Sequence, residues 1–418
     1  MNTLLNHVII RLSMVAFLLM SNRVFAQNYE FVNGSWFNGQ SFEEKTLYVA
    51  EGRLSLHNPG QIDSTIDLKN QYVIPPFGEA HNHNLESAWM LEQRINNYLR
   101  DGVFYVKMQS SIKKRVESVK NVLEKSPTVD ITFAHAPLTA TGGHPIRLRE
   151  TFFDRGMFKG FFNSKKEIEG HGYHIINNED DLEKKWSIIL ADKPDFIKCN
   201  LLYSGEYELR KEDPAYFGKK GLNPYLLRKI VAKAHESGLR VSTHVNTGMD
   251  FHNAVIAGVD EINHMPARRE ASRIREKDAK LAAEKGIVVV TTASLIKRLE
   301  SAEPEKFEKI KENMKENLRT LREHNVTLAI GSDVWGDNSS QEAAFLKELN
   351  VFTNLELLKM WAENSPKTIF PNRKIGELKE GFEASFLVLE GNPLENFSNV
   401  RRIKMRVKQG QILDISIK

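Results

Sequence analysis

The chain has 418 residues, 41% hydrophobic and 27% charged, with a formal net charge of +4. That length holds one large domain and a smaller one, in the composition of an ordinary folded soluble protein. So balanced a charge gives no reason to expect nucleic acid or an anionic membrane as partner, and a lone cysteine, Cys199, excludes an internal disulfide.

The first segment in chain order is 1–26. Arg11 precedes an apolar stretch from Leu12 to Met20, and Val24-Phe25-Ala26 stands before Gln27. This pattern reads as a secretory signal peptide cleaved near Ala26, which predicts an exported protein, periplasmic or secreted. The apolar stretch is short for a bilayer span, so a retained membrane anchor is the weaker reading. No stable anchor is expected, and the segment's two arginines, with no acids, leave about +2 on the remainder.

From Tyr29 to Val73 the pattern is short strands and turns, with candidates at Phe31 to Trp36, Thr46 to Val49 and Arg53 to Leu56. The far end is similar: Ala384 to Leu389 and Ile403 to Val407 are strand-like, with turns at Gly391-Asn392-Pro393 and Gln409-Gly410. Neither piece has the apolar surface to fold alone. The expectation is one small β-sandwich built from both termini, residues 27–73 and 376–418.

Between them, 74–375, strands alternate with helices. Strand candidates are Tyr72 to Phe77, Val103 to Met108, Ile131 to Ala134, Phe196 to Leu201, Arg240 to Thr243, Glu261 to Asn263, Ile287 to Thr291 and Thr327 to Ile330. Helical stretches include Pro224 to Ser237, stopped by Gly238, about Met249 to Ala257, and Asp278 to Lys285, stopped by Gly286. Alternating elements of this kind predict an α/β fold, a closed TIM-like (β/α)8 barrel. An open doubly wound sheet is the rival, but no Gly-rich phosphate loop follows the first strand.

Six potential metal ligands lie at or just past strand ends: His81 and His83 in EAHNHN, Lys198 in DFIKCNL, His244 in VSTHVN, His264 in EINHMP and Asp333 in AIGSD. Side chains two apart on a strand point the same way, so His81 and His83 can share an ion. Barrel strand ends converge on one pocket, which would gather all six. Lys198 interrupts an apolar run. It is either a snorkelling lysine or one converted by carbon dioxide to a carbamate, an anionic ligand able to bridge two metals. His244 and His264 read either as satisfied core histidines or as joint ligands. Asp333 reads as a turn or cap aspartate, or as a carboxylate that binds metal and moves a proton.

With His81-Asn82-His83, Lys198, His244, His264, Gly331-Ser332-Asp333 and the tail Lys374-Ile375-Gly376-Glu377-Leu378-Lys379-Glu380-Gly381, the chain resembles the amidohydrolase superfamily. Thr139-Ala140-Thr141-Gly142-Gly143-His144 is similar to the branch of imidazolonepropionase-like enzymes and Xaa-Pro dipeptidases. The resemblance implies two ions, most suitably Zn2+. One would be held by His81, His83 and Asp333 and the other by His244 and His264, with carbamylated Lys198 and a hydroxide between them. It further implies hydrolysis of a C–N bond in a small molecule, such as a dipeptide, an N-acyl amino acid or a cyclic amide, with Asp333 accepting a proton. Departures are Glu79 where aspartate is common, expected to orient a ligand histidine or form a salt bridge, Asn263 where many relatives have glutamate, and Ala384-Ser385 for a common Ala-Asp pair.

The segment from His135 to Asp195 is long and carries aromatic-basic patches at Thr151-Phe152-Phe153 and Met157 to Phe162. Long loops on a catalytic face shape substrate binding, so His144, Arg147 and Arg149 are candidates to meet a polar or acidic group. Tyr203 and Trp335 are candidate pocket walls. The alternatives are a non-catalytic exported binding protein that retains the fold, and a lyase or isomerase on the same site. Oligomeric state is not encoded in any pattern found.

Overall fold

The structure, a computed structural model, describes residues 27–266 and 272–415. The expected leader, 1–26, lies outside them. Both ends of the chain build one eight-stranded sheet. Tyr29–Phe37, Phe42–Ala50, Arg53–Ser55, Ser64–Asp67 and Tyr72–Ile74 come from one side, and Phe386–Leu389, Ile403–Lys408 and Gln411–Ile412 from the other. Tyr72–Ile74 pairs antiparallel with Phe386–Leu389, which joins the termini. The Phe386 ring packs on Phe31 and Trp36 with centroids 5.1 and 5.2 Å apart. By strand pairing this region is one branched sheet, whose strands enclose a core of their own. Tyr29–Phe37 pairs with Phe42–Ala50 along one edge and divides its other edge between Ser64–Asp67 and Tyr72–Ile74.

One strand expectation fails instructively. Tyr72 to Phe77 is two strands, because Pro75 and Pro76 have no N–H to give a ladder. Tyr72–Ile74 stays in the terminal sheet, and a new strand, β1 (Phe77–Asn82), begins after the prolines. The parallel strands that follow are β2 (Val103–Met108), β3 (Asp130–Phe133), β4 (Ile197–Leu201), β5 (Val241–Val245), β6 (Glu261–Asn263), β7 (Val288–Val290) and β8 (Leu328–Ala329). Helices connect them. Pro224–Glu236 starts under an Asn223 cap, and Gly248–Ala257 starts under a Thr247–Asp250 capping box.

The continuous ring expected from the sequence is interrupted. Strands β1 to β3 form one sheet of three; β4 to β8, with Leu138–Thr139 and His174–Ile175, form another of seven. The break lies after β3, where His135 takes φ 56° and Pro137 lacks a donor. Pairing resumes at Leu138, opposite Cys199 of β4. The two added strands have two residues each, too short for any periodic pattern. Where β8 meets β1, two backbone bonds join them: Ala80 N–H to the Ile330 carbonyl at 3.0 Å and Asp333 N–H to the His81 carbonyl at 2.8 Å.

Gly331 permits that contact. A Cβ there would lie 2.6 Å from the His81 nitrogen and 2.7 Å from both the His81 Cβ and Val290 Cγ1. Gly331→Ala is therefore expected to destabilise the protein by about 1–3 kcal/mol, the usual cost of overpacking. Urea unfolding checks this; a midpoint equal to wild type would contradict the close approach.

Candidate active site

All six expected ligands line one cavity of about 590 Å³. His81 is the fifth residue of β1 and His83 follows its end; Lys198 lies on β4 and His244 on β5. His264 follows β6, and Asp333 stands beyond β8. His264 and Asp333 adopt φ of 76° and 52°. Left-handed backbone at non-glycine residues is costly and concentrates at functional sites.

The imidazoles are packed ring against ring: centroids are 5.3 Å apart for His81–His83, 4.6 Å for His81–His264 and 4.1 Å for His244–His264. Each has one nitrogen on a specific partner. His81 Nδ1 faces Asn263 Oδ1 at 2.5 Å, and His83 Nδ1–H donates to the Ser110 carbonyl at 3.1 Å. His264 Nδ1 pairs with Thr292 Oγ1 at 2.8 Å, and His244 Nε2 with Asn246 Oδ1 at 3.2 Å. Partners of this kind fix ring orientation and select the nitrogen left to ligate. The His81 and His83 Nε2 atoms both turn towards Asp333 Oδ1, at 3.7 and 3.3 Å. One ligand atom from each of these three residues falls within a mutual 4.8 Å. Burial, reinforced by Lys198, holds the His81 imidazole well below its ordinary pKa; burial, reinforced by His264, does the same for His244. Both are thus neutral, the form that ligates metal.

Lys198 is the sharpest feature. Its side chain is buried, and its Nζ has no hydrogen-bond partner among the described residues. Burial brings the amine down to about 7, against the pull of Glu261 and Asp333. An orphaned amine of that kind is costly. A neutral amine can add to carbon dioxide, forming an N–C bond and losing a proton, and the resulting carboxylate would suit divalent cations. The donor set, four imidazoles with Asp333 and Lys198, fits such ions.

Glu79 does not orient an imidazole, as the sequence reading suggested, nor form a salt bridge. It accepts from Ser332 N–H at 2.8 Å, Ser332 Oγ at 2.7 Å and His81 N–H at 3.2 Å, so it fixes the turn that carries Asp333. Its burial pushes the carboxyl up to about 8. Asn263 does the orienting instead. Its amide N–H donates to Ser242 Oγ, which in turn donates to Glu261 Oε1 at 2.8 Å. Glu261 sits on the Lys107 ammonium at 2.8 Å and accepts from Gln109 Nε2 at 2.9 Å. Sequence reasoning missed this layer, although Lys107 interrupts the run Val103–Met108 just as Lys198 interrupts its own. Glu342 was missed too; it accepts from the Thr292, Ala293 and Ser294 amides and so holds the partner of His264.

His144 lines the cavity with its ring 5.0 Å from His244, and Tyr203 and Trp335 line it as well. Arg149 reaches the wall but is buried, donating to Ser110 Oγ and lying 3.7 Å from Glu86. Arg147 is exposed and outside the cavity lining. Most of the aromatic patches form a small core of their own around Ile146, Phe158, Phe162 and Ile168, while Phe152 and Leu148 face the cavity.

The Lys107–Glu261 pair yields a test. Burial alone would raise the Glu261 carboxyl from 4.5, but Lys107 and the neighbouring donors bring it down to about 2. A depressed carboxyl contributes stability that is complete above pH 4.5 and is lost as pH falls towards 2. Glu261→Gln, which strands a buried ammonium, is expected to cost about 3–5 kcal/mol at pH 7 and to flatten this acid limb. Denaturant unfolding across that range checks both; an unchanged acid limb would contradict the assignment.

The amidohydrolase family model matches residues 77–413. Ochratoxinase from Aspergillus niger is 29% identical over 206 residues, 47% of this chain. The matched region spans 41% of that relative's length. Among solved structures, a prolidase complexed with N-methylphosphonate-L-proline superposes with a TM-score of 0.73 at 20% identity, covering 93% of this chain and all (100%) of the other. The A. niger ochratoxinase structure gives 0.73 at 19%, covering 93% and 95%. A Xaa-Pro dipeptidase with bound methionine gives 0.72 at 16%, covering 93% and 100%. At such identities these likenesses carry the fold alone. The family match covers most of the sequence and spans all six expected ligands, and on its coverage the chain belongs to the amidohydrolase family.

Proposed function

We propose that the chain is an exported metal-dependent hydrolase of a C–N bond in a small substrate, either an N-acyl amino acid or a dipeptide. The single observation that carries the reading is the Lys198 amine, buried and without a hydrogen-bond partner among the described residues, in the same cavity wall as four imidazoles and a carboxylate. Divalent ions bound by His81, His83 and Asp333, and by His244 and His264 with a carbamylated Lys198, would lower the pKa of water and polarise a carbonyl. We take the two parallel sheets together as the family's barrel, with 27–73 and 376–418 as the accessory domain.

The chain's own groups do the rest. Asp333 Oδ1 stands beside both β1 histidines and is placed to accept a proton and return it to the leaving amine. His144, brought down to about 4 by burial, is a neutral group beside His244, suited to hydrogen-bond a substrate carbonyl or carboxylate. Tyr203 forms another part of the wall. The cavity is apolar along Leu148, Phe152, Met265, Leu295, Ile296 and Trp335, which favours a bulky apolar group on one side of the bond. The names of the similar proteins, an ochratoxinase and prolidases, agree with amide hydrolysis.

A panel of N-acyl amino acids and dipeptides, assayed with Zn2+ or Mn2+, tests the reading. Turnover abolished by a chelator and restored by metal is expected, with Lys198→Ala losing at least about a hundredfold in kcat/KM. Binding without turnover would favour a non-catalytic binding protein, and elimination or isomerised products would favour a lyase or isomerase. Full activity in Lys198→Ala would remove the carbamate.

A further inference from the structure

Asp250 is fully buried on the helix Gly248–Ala257, and all of its acceptor contacts are to neutral donors. Within its own segment it receives the Asn246 and Thr247 amides at 3.0 and 2.9 Å, the ordinary business of a capping box. It also receives groups from 46 and 47 residues earlier: the Tyr203 amide at 3.0 Å, and the Ser204 amide and hydroxyl at 2.6 Å each. Asn253 Nδ2 adds a second bond to the Ser204 hydroxyl at 2.9 Å. One carboxylate thus ties the loop after β4, which follows Lys198, to the loop after β5, which follows His244.

A helix cap needs only the first pair of bonds. The second set has a different effect. Tyr203 has φ 53°, a left-handed conformation that a bulky residue holds only when its surroundings impose it. Two things impose it. The Asp250 carboxylate takes its N–H, and the Arg210 guanidinium lies 3.9 Å over its ring. The ring stands in the cavity wall as a result. An uncharged side chain could not match this set, since Asn would present an NH2 to one group of donors.

We propose that Asp250 is a positioning residue for the substrate, acting mainly through Tyr203, with a smaller effect through Asn246, whose side chain meets His244. This rests on the hydrolase reading above. The removal of a donor-matched buried carboxylate frees Tyr203 to leave the left-handed region, and the wall it forms shifts.

The test compares wild type, Asp250→Asn, Ser204→Ala, Tyr203→Ala and the Asp250→Asn/Tyr203→Ala double variant in three measurements: hydrolysis of N-acyl-phenylalanine, bound metal, and amide hydrogen exchange over 200–206. Asp250→Asn is expected to speed exchange at Tyr203 and Ser204 and to lower kcat/KM roughly tenfold, mostly through KM, while Ser204→Ala, which spares the Asn246 bond, leaves metal content unchanged. The double variant is expected to lose little more than Tyr203→Ala alone, since Asp250 acts by placing the ring that this substitution removes. Additive losses, or unchanged exchange at Tyr203 and Ser204, would overturn the proposal. Should Asp250→Asn fail to fold, Ser204→Ala removes one of the Asp250 bonds and the Asn253 bond, and the same pattern at smaller size is expected of it. If the wild type hydrolyses nothing in the panel, the hydrolase reading falls. The exchange measurement would still decide whether the clamp exists.

Discussion

Four imidazoles, a carboxylate and an amine face one cavity of this protein, and the amine is the member whose burial nothing among the described residues offsets. The imidazoles stand ring against ring, each with one nitrogen on a partner, while the Lys198 nitrogen has none among the described residues. Polar groups stripped of water are tolerated when something of opposite character meets them. A divalent cation supplies that character, which is why the same arrangement that is awkward for a bare chain is suited to a metal centre.

Around this cavity lies a layer whose members are fixed before any ligand arrives. Asn263 sets His81, the Ser110 carbonyl sets His83, and Thr292 sets His264. Behind them stand buried carboxylates that accept from backbone amides: Glu79 under the Asp333 turn, Glu342 under the Thr292 turn, and Asp250 between the loops of Tyr203 and Asn246. Each holds a loop that leaves a strand end. Short strands such as Leu328–Ala329 could not place a side chain accurately on their own, and these bonds extend the order of the sheets into the turns.

Much of this could be read from the sequence. The polar residues that interrupt buried apolar runs, His81 and Lys198, mark their own strands, because a parallel strand covered on both faces has no other use for them. Helix stops at Gly238 and Gly286 fell where expected, since a left-handed glycine is a local event. What the sequence hid was long-range. That Asn263 and not Glu79 meets His81 depends on how β6 sits across from β1. The break between β3 and β4 depends on His135 and Pro137 in a segment that looks like any connecting loop. The split at Pro75-Pro76 was visible in principle, as prolines cannot continue a ladder.

A crystal grown from purified protein supplied with Zn2+, measured above and below the zinc absorption edge, would show whether these strand ends jointly hold divalent cations. Anomalous density among His81, His83, His244, His264 and Asp333 is expected, with carboxylate density continuous with Lys198 Nζ. A bare lysine and no anomalous peak in that cavity would contradict joint binding.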